Sequence, residues 1–264
     1  MAEISVIMSV YNDKVYLQKA IDSILNQTFS DFEFIICNDC STDGSLDILK
    51  SYEEKDKRIK LIDNTENLGL AASLNKCLKI ATAPYIARMD SDDISMPKRL
   101  ETEYDFLEKH HEYDVVGTKC KIIDEEGNVY KDFLIHKGEV TLLDALKKVS
   151  IVHPTAMMRK SVVLEVNGYT DNELTNRAED YDLWCKLLSN SHKIYNIDIP
   201  LLYYREGLSG IKKRKYRFRI QEAKLKYQWM KKKHAPKVTY LYSLKPLIVG
   251  LIPSKIMALY KRRH

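Results

Sequence analysis

Four short apolar runs alternate with helical patterns over the first 110 residues of this 264-residue chain. Strands are predicted from these runs at 4–10, 33–37, 58–62 and 85–89. The runs do not alternate with polar residues, which is typical of parallel strands that are buried on both faces of a sheet. After each run, apolar residues recur every three or four positions, which predicts a helix. This order predicts an α/β fold with a doubly wound, mostly parallel central sheet.

The pattern is less regular from 111 to 205. Strands are predicted at 115–118, 119–123, 129–133 and 194–197, with a turn at 124–128 and an extended segment at 151–158. Helices are predicted at 139–149, at 160–166 and from 177 to 187. We expect this stretch to complete the same body, and we expect residues 206–264 to form a separate tail.

Three carboxylates, Asp90, Asp92 and Asp93, follow directly after the fourth apolar run. Holding them close together is costly unless a cation offsets their repulsion, and carboxylate oxygens suit Mg²⁺ or Mn²⁺. Ligands of open α/β sheets bind beyond the carboxyl ends of the strands, so we expect Tyr11, Asp39 and Asp90 to converge on one crevice. A solvated acidic turn is the alternative interpretation of the three carboxylates.

The sequence has neither of the common glycine-rich loops that cradle phosphate, GxxxxGK[ST] and GxGxxG. Phosphate bound in this crevice would therefore need a metal, which favours a nucleotide diphosphate bridged by a cation to Asp90 and Asp92. The same acids would equally serve a metal-dependent phosphohydrolase. The residues alone therefore leave two interpretations open, a site that binds a nucleotide diphosphate through a cation and the site of a phosphohydrolase.

The order of the motifs resembles that of family 2 glycosyltransferases of the GT-A fold, a family that builds bacterial surface polysaccharides. The matching motifs are SVIMSVYND at 5–13, NDCSTDGS at 38–45, NLGLA at 67–71, DSDD at 90–93, GY at 168–169, EDYD at 179–182 and YYREGLS at 203–209. The resemblance implies a catalytic domain at 1–205, with a nucleotide-binding half at 1–110 and an acceptor-binding half at 111–205. It implies transfer of a sugar from a nucleotide-sugar, most simply a UDP-sugar, to a hydroxyl of a glycan.

The resemblance also implies roles for matching residues. The nucleotide pocket would be formed by Val10, Tyr11, Asp39, Asn67, Gly69, Asp90 and Ser91. Tyr11 would stack near the base and Asp39 would accept a hydrogen bond from its ring, although capping of a loop or helix is the alternative for Asp39. Asp92 would ligate Mn²⁺ or Mg²⁺ directly, with Asp90 at the metal or the ribose.

Four further residues are candidates for contacts with the donor sugar or its diphosphate: Arg88, Asp93, Arg205 and His153. For Asp93 a capping role is the alternative, and for His153 a place in the core is the more frequent role of such a histidine. Many relatives carry a histidine shortly after the arginine that matches Arg205. This chain has Gly207 and Leu208 there, so the last protein ligand of the metal is unassigned.

The pair Glu179 and Asp180 is implied to carry the acceptor chemistry. A hydroxyl nucleophile needs a carboxylate within hydrogen-bond reach to take its proton. We assign that role to Asp180, with Glu179 positioning it, and direct attack implies inversion at the anomeric carbon. An acidic helix N-terminus stabilised by the helix dipole is the alternative interpretation.

The net charge of +5 conceals a strong asymmetry. Residues 206–264 contain 17 Lys and Arg against two acids, a net charge of +15, which leaves −10 on residues 1–205. The tail predicts a long basic helix at 212–233 and then an apolar, Tyr-rich segment at 238–260. Aromatic, apolar and basic residues together suit a helix that lies in an anionic membrane interface. A helix that packs back onto the acidic body is one alternative; nucleic-acid binding is another, but no nucleic-acid-binding fold accompanies the charge.

The remaining composition bears on location. The five cysteines are scattered without a second pair that would complete a zinc site, and they favour a reducing compartment. No apolar run is long enough to span a bilayer, and no signal peptide is apparent. We expect a cytoplasmic protein at the inner face of the cell membrane that acts on a glycan or lipid-linked saccharide. A non-catalytic membrane-associated binding module is the third hypothesis.

Overall fold

The computed structural model of the chain describes residues 2–133, 135–206 and 215–252. Its strands are β1 (Ile4–Val10), β2 (Phe32–Asn38), β3 (Ile59–Asp63), β4 (Tyr85–Asp90), β5 (Ile94–Ser95), β6 (Val115–Ile123), β7 (Val129–Phe133), β8 (Gly138–Val140), β9 (Met157–Arg159) and β10 (Ile194–Arg205). Its helices are α1 (Lys14–Leu25), α2 (Ser45–Lys55), α3 (Leu70–Ile80), α4 (Arg99–Lys109), α5 (Leu142–Lys147), α6 (Lys160–Glu165), α7 (Glu179–Ser189), α8 (Tyr216–Lys232) and α9 (Leu241–Gly250). Short 3₁₀ turns cover His153–Thr155 and Lys237–Tyr240.

One sheet runs through the body in the order β3-β2-β1-β4-β9-β6-β10-β5, with β7 paired to β6 and β8 paired to β10. The adjacent strands β3, β2, β1 and β4 are parallel to one another, and β6 is parallel to β10. The short strand β9 joins these two parallel groups by antiparallel pairing with β4 and β6. The predicted mostly parallel α/β sheet is therefore confirmed. The division into a nucleotide-binding half at 1–110 and an acceptor-binding half at 111–205 stays a prediction. The sheet itself contains strands from both halves.

Each face of the sheet has its own apolar core. Val6 and Met8 of β1 pack in a cluster with residues of α1, α2 and α4, whereas Ile7 packs in a second cluster with residues of α3, α6 and α7. Successive residues of a strand point to opposite faces, so both sets must be apolar when both faces are covered. This explains why the central strands have no polar alternation.

The parallel register brings the carboxyl ends of the central strands to one edge. Val10 at the end of β1 lies opposite Asn38 of β2, and Ser9 lies opposite Asp90 of β4. The residues that follow these strands, Tyr11 and Asp39, therefore share this edge with Asp90. The predicted convergence of Tyr11, Asp39 and Asp90 is confirmed.

Some predicted elements differ in the structure. The segment at 151–158 contains a 3₁₀ turn at His153–Thr155, where the Thr155 backbone N–H donates to the Val152 carbonyl at 2.9 Å, so it is not wholly extended. The helix predicted at 139–149 is confined to α5, and β8 precedes it. Strand β10 continues beyond Ile197 to Arg205, with register shifts against β6 between Ile197 and Leu202, around Asp198 and Pro200. The two-residue β5 was not predicted.

The basic helix of the tail packs on the body. Two parts of the predicted tail lie outside the described residues. They are residues 207–214, which contain the predicted start of this helix, and residues 253–260, which end the predicted apolar segment. Leu225, Trp229 and Met230 of α8 form a buried cluster with body residues that include Ala178 and Cys185. For α8 the structure therefore favours the alternative of packing onto the body over a place in a membrane interface.

A buried hydrogen bond links α8 to α7. The indole N–H of Trp229 donates to Asp182 Oδ1 at 2.8 Å, and the Thr170 hydroxyl donates to Asp182 Oδ2 at 2.5 Å. Asp182 and Trp229 are both buried. Among the described helices, none combines the length and apolar character that crossing a bilayer requires.

We expect Trp229→Phe to lower the free energy of unfolding by about 1–3 kcal/mol more than Trp184→Phe does. Both indoles are buried, but the Trp184 N–H has no hydrogen-bond partner among the described residues, so only Trp229→Phe leaves a buried acceptor without its donor. Urea unfolding measures both variants. A double-mutant cycle with Asp182→Ala separates the bond from packing, and a coupling near zero would contradict the assignment.

Candidate active site

The loops after β1 and β2 are fastened to each other. The Asn12 side-chain carbonyl accepts from the Thr42 backbone N–H at 2.7 Å, and the Lys14 backbone N–H donates to Asp43 Oδ2 at 2.9 Å. Tyr11 lies exposed at the tip of the first loop. Asp43 therefore orders the two loops, and the exposed Tyr11 lies at the sheet edge where the nucleotide base is predicted to bind.

Asp39 is buried and caps the loop that leads into α3. Its Oδ1 accepts from the Leu68 backbone N–H and the Asn64 side chain, and its Oδ2 accepts from the Gly69 backbone N–H, at 2.8–2.9 Å. Asn67 donates its side-chain amide to the Asp39 carbonyl at 3.3 Å. Gly69 has φ +90°, a conformation that favours glycine. The capping role is thus present, and a contact with the nucleotide base stays a prediction.

The turn between β4 and β5 gathers the three predicted carboxylates. Asp90, Asp92 and Asp93 each offer an oxygen, and these oxygens all lie within 4.8 Å of one another. Burial, with Asp90 and Asp13 nearby, raises the pKa of Asp92 to about 7. The Ser91 hydroxyl donates to Asp13 Oδ2 at 2.6 Å.

Asp93 lies at the bottom of this turn and is buried. Its Oδ1 accepts from the Arg205 backbone N–H at 2.8 Å, whereas its Oδ2 has no hydrogen-bond partner among the described residues. Burial, together with the charges of Asp92 and Asp90, raises the pKa of Asp93 well above its ordinary value. An all-oxygen donor set with a buried oxygen that lacks a donor fits a divalent cation such as Mn²⁺ or Mg²⁺.

Arg88 places a buried positive charge beside this turn. It forms an ion pair with Asp90, and its backbone carbonyl accepts from Arg99 Nη2 at 2.7 Å. Burial acts to lower the pKa of Arg88, but attraction to Asp90 outweighs burial and raises the pKa above its ordinary value. Arg88 therefore stays charged and offsets part of the repulsion among the carboxylates.

His153 is buried in the structure. Its Nε2 lies 2.8 Å from the Tyr169 hydroxyl, and its ring meets the edge of Trp184 at a centroid distance of 5.9 Å. Burial and the charge of Arg88 lower the pKa of His153 well below its ordinary value, so the imidazole is neutral. The structure favours the core role that the sequence left as the alternative, and nothing in this geometry supports a contact with the donor.

Arg205 ties the end of β10 to the acidic turn. Its Nε donates to the Asp92 carbonyl at 2.8 Å, and its Nη1 donates to the Asp124 carbonyl at 2.6 Å. The guanidinium lies over the Tyr16 ring at 4.2 Å from the centroid. These contacts are structural, and the predicted contact of Arg205 with the diphosphate stays a prediction.

The carboxylate pair Glu179 and Asp180 lies in the first turn of α7. Burial and the neighbouring Asp180 raise the pKa of Glu179 to about 7, and burial also raises the pKa of Asp180, which is partly exposed. The charges of Arg88 and Asp90 both act on Glu179, so the first turn of α7 lies within electrostatic reach of the acidic turn.

Two residues of this site were not predicted. Asp13 adds a fourth carboxylate beside Asp92, and Tyr16 supports the Arg205 guanidinium. Asp13 lies inside the first motif quoted above, so its sequence position offered a signal. Tyr16 offered none, because its contact depends on how β10 returns to the β4–β5 turn.

Comparison with known proteins finds similarity along the whole chain. Residues 5–166 match the family described as "Glycosyl transferase family 2". The chain is 40% identical over 263 residues to "Putative glycosyltransferase EpsE" of Bacillus subtilis, which covers 99% of this chain and 94% of that protein. It is 30% identical over 254 residues to "UDP-Glc:alpha-D-GlcNAc-diphosphoundecaprenol beta-1,3-glucosyltransferase WfaP" of Escherichia coli, covering 93% and 94% of the two chains.

A solved structure shows the same architecture. The crystal structure of S. aureus TarS 1-349 in complex with UDP aligns with a TM-score of 0.69 and 25% sequence identity, covering 95% of this chain and 71% of that chain. This likeness confirms the predicted GT-A fold, and α8 and α9 are consistent with the predicted helical C-terminal extension.

We expect Asp39→Ala to lower the free energy of unfolding of the nucleotide-free protein by about 3 kcal/mol, because one buried and two partly buried N–H donors lose their acceptor. Asp47→Ala, which removes an exposed acid from the first turn of α2, is the matched control and should cost about 0.5 kcal/mol or less. Urea unfolding measures both. Equal stability of the two variants would show that Asp39 does not cap this loop.

Proposed function

This chain belongs to glycosyl transferase family 2 and is a glycosyltransferase of polysaccharide biosynthesis, and from that premise we propose that it moves a sugar from a UDP-sugar to a hydroxyl of a glycan with inversion at the anomeric carbon. The observation that carries the proposal is that the acidic turn after β4 and the carboxylates in the first turn of α7 lie within electrostatic reach of each other. The first suits a diphosphate leaving group, and the second suits a hydroxyl nucleophile.

The donor would bind along the carboxyl edge of the central strands. UDP is the nucleotide bound in the similar TarS structure, which supports UDP here. Tyr11 would stack on the base, while Val10, Asn67 and Gly69 would shape the pocket around it. Asp39 would hold the loop at 67–69 in place, with its remaining acceptor capacity available to the base.

The diphosphate would be held at the β4–β5 turn. Asp90 and Asp92 would ligate Mn²⁺ or Mg²⁺, with Ser91 at the ribose and Asp93 beneath. When bound, the cation would stabilise the negative charge that develops on the departing diphosphate. Arg88, buried and ion-paired with Asp90, would fix the orientation of that carboxylate.

Asp180 would act as the general base. The acceptor hydroxyl oxygen forms a bond to the anomeric carbon, the bond from that carbon to the UDP oxygen breaks, and UDP leaves with the electron pair. Asp180 takes the hydroxyl proton. Burial raises the pKa of Asp180, which makes it a stronger base than an exposed carboxylate, and Glu179 would position it.

The acceptor is proposed to be a saccharide on a lipid carrier. The relative WfaP is named for an acceptor linked to diphosphoundecaprenol, which supports this class. The basic tail at 206–264 would hold the catalytic body at 1–205 against the anionic inner face of the cell membrane, where such an acceptor lies.

Two other hypotheses were left open by the residues alone. A phosphohydrolase would release the nucleotide without an acceptor, and a binding module would release none. Membership of the family favours glycosyl transfer over both. The test is UDP release from a UDP-sugar panel with and without Mn²⁺ and an acceptor glycan: transfer requires both, whereas release with Mn²⁺ alone would indicate hydrolysis.

We expect Asp180→Asn to lower the transfer rate by about 10²–10⁴-fold while UDP-sugar affinity stays unchanged, because only proton removal from the acceptor is lost. Asp171→Asn, an exposed acid shortly before α7, is the matched control and should transfer at the wild-type rate. Product formation and donor titration are measured on the same preparations. Normal transfer by Asp180→Asn, or a product with retained anomeric configuration, would overturn the assignment of the base.

A further inference from the structure

Helix α9 packs on α8 with its small side chains. Ser243 and Pro246 are buried, and a Cβ added at Gly250 would meet ring carbons of Tyr216 at 2.9 Å. These three residues lie on one side of the helix at the spacing of one turn. The close approach therefore requires small residues on the protein-facing side of α9.

The large aliphatic residues of this segment point the other way. They are exposed to solvent: Val238 by 65%, Leu241 by 66%, Leu244 by 48%, Ile248 by 64% and Leu251 by 72%. From Leu241 onwards they recur at three- or four-residue intervals, which places them in one stripe. We call these five residues the α9 ridge. A surface helix normally buries its large aliphatic residues and exposes its small ones. The opposite arrangement in α9 indicates that the ridge is a surface for contact with a partner.

The sequence that carries the ridge is basic. After Glu222 the sequence contains no acidic residue. Lys237 and Lys245 flank the ridge and are exposed. An open cleft at the junction of α8 and α9 is lined by Tyr227, Lys231, His234, Ala235, Lys237 and Tyr240. It therefore places cations and aromatic rings beside the first ridge residue, Val238.

We propose that the α9 ridge inserts into the interface of an anionic lipid bilayer, with the lysines beside it and the cleft receiving lipid phosphates. Aliphatic residues would enter the boundary between headgroups and acyl chains, while Lys and Tyr side chains stay at headgroup level. The inference rests on the proposed membrane location, and it assigns insertion to the α9 ridge. The apolar residues Leu225 and Trp229 of α8 cannot insert, because they are already buried against the body, so α8 contributes only the cleft side chains Tyr227 and Lys231.

Other occupants fit the ridge less well. A second copy of the chain would bring the same cations face to face, since no acid follows Glu222 to balance them. A nucleic acid would use the lysines but would leave the aliphatic stripe in water. An anionic bilayer satisfies both the apolar and the basic residues.

The experiment is flotation of the full-length protein with vesicles of phosphatidylcholine, with or without phosphatidylglycerol. The wild type should float with the anionic vesicles. The double variant Leu241→Glu with Ile248→Glu should bind the anionic vesicles at least about tenfold more weakly than the wild type, because charge on the ridge opposes insertion. Lys237→Gln with Lys245→Gln should reduce the preference for phosphatidylglycerol and the sensitivity to salt.

The matched control is Leu164→Glu with Ile199→Glu, which makes the same changes at exposed positions of the body and should float like the wild type. Equal flotation of the ridge variant and the wild type, or equal loss in the control, would overturn the proposal. A wild-type dimer that the ridge variant converts to a monomer would identify a second copy as the occupant instead. Transfer to a water-soluble acceptor should be unchanged in every variant, so a failed docking proposal is distinguishable from a failed catalytic one.

Discussion

The repulsion among carboxylates at the end of β4 is the constraint on which the site depends. Asp90, Asp92 and Asp93 offer oxygens within 4.8 Å of one another, a separation that would be unstable without compensation. The chain supplies part of it through the buried charge of Arg88 and through Arg205, whose backbone N–H donates to the Asp93 carboxylate and whose Nε donates to the Asp92 carbonyl. The compensation is incomplete, as two facts indicate: the pKa of Asp92 is raised, and Asp93 Oδ2 has no hydrogen-bond partner within the part of the chain that the structure describes. A cation and a diphosphate would complete it.

The acceptor side is positioned by a different set of contacts. Helix α7 carries Glu179 and Asp180 in its first turn, and the next acid of that turn, Asp182, is fixed between Thr170 and Trp229 of α8. The tail thus has two parts with separate roles. Helix α8 packs on the body and braces the helix that bears the proposed base, whereas α9 presents its aliphatic ridge outward.

Local patterns predicted the parallel strands, their helices and the meeting of Tyr11, Asp39 and Asp90, because unbroken apolar runs indicate buried parallel strands and the carboxyl ends of such strands lie at one edge of the sheet. Tertiary contacts decided the rest. Asp39 caps a loop whose N–H groups lie about 30 residues away in sequence. The hydrogen bond between His153 and Tyr169 likewise depends on the folded arrangement of the chain and on no local pattern. The tail pattern mixes apolar and basic residues along both helices, so sequence could not show that one helix packs on the body and the other does not.

The central claim is that the β4–β5 turn binds a nucleotide diphosphate through a cation. Isothermal titration of UDP with and without Mn²⁺ tests it most directly, on the wild type, on Asp92→Asn and on Asp105→Asn, an exposed acid of α4 that serves as control. We predict that Mn²⁺ strengthens UDP binding at least about tenfold in the wild type and the control but not in Asp92→Asn. UDP affinity that is independent of Mn²⁺, or equally dependent on it in Asp92→Asn, would contradict the claim.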